Sequence, residues 1–169
     1  MKMTPIERRL LDELQIQKLA ASYSHATLKL DGAAAAAVYT EDGILSAFYY
    51  PDIVGRAAIA EALTKTLAPL QFLVQNCGAG MIDIEGDTAR ASWSVTELLR
   101  YKDSEAVSCC FGTYEDQLVR TGEGWRFARR SFIPFYRGSM ASTGKLYRDP
   151  EFANAFSPWP FLGRPLDPA

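Results

Sequence analysis

Two carboxylates in this chain fall where burial would make them chemically useful. In the run TARASWSVTELLRY, from 88 to 101, Ala89, Ala91, Trp93, Val95, Glu97 and Leu99 share one face by the two-residue repeat of a strand. Glu97 therefore stands on an otherwise apolar row, where a carboxylate is costly unless protonated or paired. The same alternation in WRFARRSFIPFYR groups Arg129 with Trp125 and Phe127, which offers Glu97 an arginine partner inside the fold. Asp31 lies about 60° from Ile16 on a helical wheel, at the edge of an apolar stripe, whereas His25, the only histidine, lies about 180° away. Desolvation raises a carboxylate's pKa and turns a weak base into one that works near neutral pH. Phenols such as Tyr23, on the same stripe as Asp31, can hydrogen-bond to a developing oxyanion without carrying charge into a pocket. Architectural readings stay open: Asp31 precedes Gly32 and could cap a backbone turn, Tyr23 could be a core tyrosine, and Glu97 with Arg129 could form a structural ion pair. A bulge in either strand would turn that pair out to solvent.

The elements that must position these groups are legible from turn signals. Thr4-Pro5-Ile6-Glu7 carries a complete helix start, and Ile16, Leu19, Ala20, Tyr23, Thr27 and Leu30 recur at helical spacing up to Gly32. A short alanine-rich helix is expected from Ala33 to Tyr39, a strand from Ile44 to Tyr50 broken by Pro51, and a third helix from about Gly55 to Pro69. From Gln71 to Gly138, four strand-like segments are separated by three short turn clusters, at Gly86-Asp87, Lys102 to Glu105, and Gly122 to Gly124. Short turns join antiparallel neighbours, so this half reads as an antiparallel meander. Such long strands must coil or bulge, and Gly78, Gly80, Gly112 and Pro134 are natural places for it. Helices gathered before a mostly antiparallel sheet give an α+β fold.

At 169 residues and 48% hydrophobic, the chain suits one domain over 1–138 with a C-terminal extension, 139–169, whose aromatic residues suit packing on the domain or on a partner subunit. A net charge of −2 provides no basic face for nucleic acid. The start has no apolar run of the roughly 7–15 residues of a secretory signal, and no segment approaches the roughly 18 apolar residues of a membrane span. Three cysteines form no C-x-x-C pair, so a cytoplasmic setting is expected, with Cys109 and Cys110 as buried fillers on opposite faces. One histidine, no spaced Cys/His cluster and no glycine-rich phosphate loop leave nothing from which to build a metal or nucleotide site, so no cofactor is expected.

Taken together, Tyr23 with Asp31, Tyr39-Thr40-x-Asp42-Gly43, Gly55-Arg56-x-x-Ile59, Gly86-Asp87-x-Ala89, Gly112-x-Tyr114-x-Asp116 and Gly124-Trp125-Arg126-Phe127 resemble the nuclear transport factor 2-like superfamily. The likeness is to its SnoaL-like branch, which includes scytalone dehydratase and hexachlorocyclohexane dehydrochlorinase, and it covers roughly Gln15 to Gly138. The resemblance implies a cone-shaped barrel: a strongly curved sheet around a pocket closed by helices. It further implies that Asp31 matches the inward carboxylate that acts as a base, and that Tyr50 lies near a substrate-polarising tyrosine. Gln75 and Asn76 fall where the family places polar pocket residues. One departure is plain: Phe72 stands where family dehydratases and dehydrochlorinases carry a histidine.

Two functions follow as expectations. The first is a cofactor-independent lyase or isomerase that removes water, halide or a C1 fragment from a small aromatic or polycyclic molecule. Asp31, Tyr50, Tyr23 and Glu97 would be catalytic, while Phe48, Phe72, Gln75, Asn76, Trp93 and Arg129 would bind substrate. The second is a non-catalytic ligand-binding or assembly module, favoured by the missing histidine. In either case a homo-oligomer, dimer or trimer, is expected.

Overall fold

The computed structural model describes residues 3–47 and 50–139. Thr4 caps α1 (Pro5–Leu28) as its sequence dictates: its hydroxyl accepts from the Glu7 amide and its own amide donates to the Glu7 carboxylate. One stripe of α1 is buried, including Ile16, Leu19, Ala20, Tyr23 and Ala26. A single turn, α2 (Gly32–Ala36), follows, and the chain then enters β1 (Tyr39–Ala47) and β2 (Tyr50–Val54). The second helix is thus shorter than its alanines suggest, because Tyr39 is taken by the sheet. Pro51 does not end the strand; it sits in β2, an edge strand, where a missing N–H costs least.

From that edge α3 (Arg56–Leu67) carries the chain to the opposite side, burying Ile59, Leu63 and Leu67. The meander contains five strands: β3 (Leu70–Cys77), β4 (Met81–Glu85), β5 (Thr88–Tyr101), β6 (Ser108–Thr121) and β7 (Gly124–Ser139). The segment read as one strand before Gly86 splits at Gly78–Gly80, and its two halves both pair with β5. Gly80 is required there, since the Trp93 ring occupies the place its Cβ would take. The seven strands form a curved, unclosed sheet ordered β2-β1-β7-β6-β5-β3, with β4 beside β3 on the edge of β5, antiparallel except for the β1–β7 pair. The fold agrees with the expected α+β class, helices packed on a curved, mostly antiparallel sheet.

The main core lies between the concave face and the helices, with Ile16, Tyr23, Tyr39, Ile59, Leu118 and Phe127 essentially inaccessible. Two bulges interrupt the β6–β7 ladder. Gln117 faces Arg129 while Leu118 faces Phe127, leaving Ala128 as an extra residue; Gly112 faces Pro134 while Phe111 faces Tyr136, leaving Phe135 extra. A Cβ on Gly112 would come within 2.5 Å of the Ile133 carbonyl oxygen, so the second bulge depends on glycine.

Candidate functional site

Between α1, α3 and the concave sheet the fold leaves a cavity of about 220 Å³. Its walls are mostly aliphatic, from Leu45, Ile53, Leu63, Leu67, Leu73 and Leu99. Glu97 and Arg137 are its only charged lining residues, and Tyr23, Gln75, Cys110 and Tyr114 add polar atoms among the described residues.

Strand register explains how Glu97 comes to face this space. Gln75, Glu97, Cys110 and Arg137 are consecutive partners across β3, β5, β6 and β7, so their side chains stand in one row on the concave face. The Gln75 amide nitrogen donates one hydrogen to Glu97 Oε1 at 2.6 Å and the other to the Tyr114 hydroxyl at 2.9 Å. From α1, the Ser24 hydroxyl donates to Gln75 Oε1 at 3.2 Å, which fixes the amide's orientation. Burial pushes the Glu97 carboxyl above its ordinary range, opposed by the Gln75 hydrogen bond and by the charge of Arg137. Burial likewise raises the Tyr23 phenol and lifts the Tyr114 phenol well above its usual value, so both remain donors at neutral pH. The site thus sets a buried carboxyl with a raised pKa beside neutral phenols in an apolar enclosure.

Beneath it lies a fully buried ion pair that parity counting on β7 misses. The extra residue at Ala128 resets the alternation, so Arg130, not Arg129, follows Phe127 onto the concave face. Arg130 Nε and Nη2 donate to the two Asp116 oxygens at 2.9 and 2.7 Å, and Trp93 Nε1 donates to the same carboxylate at 2.7 Å. The guanidinium carbon lies 4.7 and 4.2 Å from the ring centroids of Tyr23 and Tyr114. It therefore packs against both aromatic rings. Gly112-x-Tyr114-x-Asp116 was the sequence signal for this layer, since alternate residues share a face.

The sequence matches the SnoaL-like domain over residues 8–131. The chain belongs to the SnoaL-like family. An uncharacterized protein of Mycobacterium tuberculosis is 29% identical over 121 residues, 70% of this chain and 82% of that protein. Among solved structures, a candidate aromatic ring hydroxylase from Novosphingobium aromaticivorans superposes with a TM-score of 0.72 at 27% identity, covering 81% of this chain and 96% of that one. A candidate scytalone dehydratase from the same organism gives 0.72 at 21% identity over 77% and 88% of the two chains. Hexachlorocyclohexane dehydrochlorinase from Novosphingobium barchaimii gives 0.72 at 13% identity over 82% and 96%; these last two establish the shared fold.

On this SnoaL-like frame the sequence-predicted residues separate. Tyr23, Tyr50, Gln75 and Glu97 line the cavity, Tyr50 being 70% exposed at its mouth. Asp31 does not: it is exposed and caps α2, accepting from the Ala34 amide at 2.8 Å. The helical wheel fails for it because α1 ends at Leu28 and the backbone reverses at Leu30, whose φ is 57°. Arg129 lies on the opposite face from Glu97 and pairs with Asp52 at 2.8 Å, the outcome of the Ala128 bulge. Gln75 wins the alternation on β3, so Asn76 is exposed and Phe72 half-buried, with the Arg100 guanidinium 6.0 Å from the Phe72 ring. Asn76, Trp93 and His25 line a separate open groove beside α1. Cys109 is buried off the cavity while Cys110 lines it, as opposite faces require. Phe48 lies outside the described residues, as does 140–169 of the C-terminal extension. Among the described residues no helix is long and apolar enough to cross a membrane.

Proposed function

We propose that this protein is a cofactor-independent lyase or isomerase acting on a small, largely apolar cyclic molecule, with Glu97 as the acid–base group. The observation that carries the reading is the Gln75 amide bridging Glu97 and Tyr114 on the wall of an apolar cavity. In an elimination, the Glu97 carboxylate takes a proton from the carbon beside a carbonyl. The Tyr114 and Tyr23 hydroxyls hydrogen-bond to the enolate oxygen as its charge develops. Collapse of the enolate breaks the bond to the leaving group on the next carbon, and protonated Glu97 returns its proton to a departing hydroxide. The candidate dehydratase and the dehydrochlorinase of the same fold support elimination as the reaction class.

A suitable assay follows 3-hydroxy-1-tetralone, whose loss of water gives fluorescent 1-naphthol. Glu97→Gln keeps the shape and the hydrogen bond from Gln75 but cannot accept a proton. Turnover should fall by about 10²–10⁴-fold, and wild-type activity should rise with pH through a pKa above the ordinary carboxylate range. Full turnover in Glu97→Gln would end this assignment. Absence of turnover in wild type would favour the non-catalytic module, which the outward-facing Phe72 in place of the family's histidine also supports.

We also propose a homo-oligomer. Phe111 stacks on Tyr136 at the outer end of β6 and β7, beside a 70% exposed Phe135, an apolar patch suited to a second subunit. Light scattering of wild type and Phe135→Ser should show a larger assembly that the substitution weakens; a monomer in both would refute it.

A further inference from the structure

Arg137 transfers no proton in the chemistry proposed above, yet register places it in the same row as Glu97. The row runs Gln75, Glu97, Cys110, Arg137, with two strand spacings, roughly 10 Å of sheet, between Glu97 and Arg137. The Phe135 bulge aims Arg137 this way; an uninterrupted alternation from Phe132 through Pro134 would have put Tyr136 on the concave face instead. Arg137 is exposed, so it stands at the mouth, while Glu97 lies deeper. Among the described residues no ion pair joins Arg137 to any carboxylate; Arg8, Arg56, Arg90 and Arg100 are likewise without one, but none of them lines the cavity. It is also the only cation among the described residues lining the cavity.

We propose that Arg137 selects a carboxylate-bearing ligand, holding the acid group at the mouth while an apolar ring of one or two fused cycles fills the cavity toward Glu97. The dimensions fit this ligand, since an apolar cavity of about 150 Å³ already accepts benzene and this one measures about 220 Å³. Charge fits it as well. A planar guanidinium offers a carboxylate two parallel hydrogen bonds, and its positive charge offsets the repulsion between the ligand's acid group and Glu97. A neutral hydrocarbon ligand would leave the cation at the mouth without a role. The inference rests on the cavity being the working site proposed above, but it does not need Glu97 to be the base.

The test is equilibrium binding of 2-naphthoate and its neutral isostere 2-naphthamide to the full chain, in wild type, Arg137→Gln, Glu97→Gln and the surface control Arg129→Gln. Wild type should prefer the acid by about tenfold or more, the size of a charge-assisted hydrogen bond. Arg137→Gln should abolish that preference, with Arg129→Gln behaving as wild type. Raising ionic strength should shrink the preference in wild type itself, which gives a readout independent of any variant. Equal binding of acid and amide by wild type, an acid preference that survives in Arg137→Gln, or no binding of either compound would overturn the proposal. Glu97→Gln separates the two readings: acid binding retained with turnover intact rejects Glu97 as the base and leaves Arg137 as the anchor.

Discussion

Asp31 and Glu97 carry the same functional group in opposite surroundings, one in water and one on the cavity wall. Asp31 sits in water at the start of α2, where its carboxylate satisfies the Ala34 amide; its contribution is that of an N-cap. Asp31→Ala should therefore lower stability by about 0.5–2 kcal/mol while leaving turnover of any substrate unchanged, as chemical denaturation and the tetralone assay would show. Retained stability together with a large loss of turnover would return Asp31 to the chemistry. Glu97 was legible in the sequence because β5 is regular between Ala89 and Leu99, so two-residue counting holds along its whole length. Arg130 was not legible: counting on β7 crosses Ala128, and an extra residue there is invisible to alternation.

At the scale of elements, α1 is tied to the sheet by one buried carboxylate. Asp12 receives Arg120 through both oxygens and also accepts from Trp125 Nε1 at 3.1 Å, joining the helix to β6 and β7. The hydrogen bonds from Arg120 hold the Asp12 carboxyl below its usual range. Asp12→Asn should cost about 1.5–3 kcal/mol near neutral pH, since it removes the buried charge partner of Arg120 and leaves only the exposed Asp87 carboxylate to pair with it. The folded pKa is depressed, so the pair's contribution is present above the ordinary carboxylate range and is lost as pH falls through the lowered value. The deficit of the variant should shrink in acid; a deficit independent of pH would show that shape, not charge, holds α1 in place. Sequence reading placed the helices and most strands, because caps, turns and periodicity are local. It missed the parallel β1–β7 pair and read Gly78 and Gly80 as a bend within one strand where the structure has two, since both features depend on contacts between distant segments.

For the whole molecule, Glu97 adds a pH dependence of the opposite sign to that of Asp12. Its folded pKa is raised, so between the ordinary carboxylate value and the raised one the native state binds more protons than the unfolded chain, and stability falls as pH rises. Glu97→Gln removes this loss. Thermal melts across acid and neutral pH should show the variant gaining on wild type as pH rises through that window, and a constant difference would argue against a raised Glu97. A molecule that keeps such a group pays for it in stability, which accords with the acid–base role proposed for Glu97.

The two bulges in β7 give the fold a further property, concerning how it tolerates changes of length. Pairing along a strand has a reading frame of two, and a one-residue insertion or deletion normally exchanges inside for outside downstream. Ala128 and Phe135 are already the supernumerary residues of their ladders. Deleting Ala128 would leave Phe127 and Arg130 facing inward and Arg129 outward over a regular ladder, whereas deleting Ser131 would invert Phe132 and everything after it. These two positions are therefore where relatives can differ in length without exchanging faces. Alignments that place their gaps elsewhere in β7 will assign the wrong arginine to the interior.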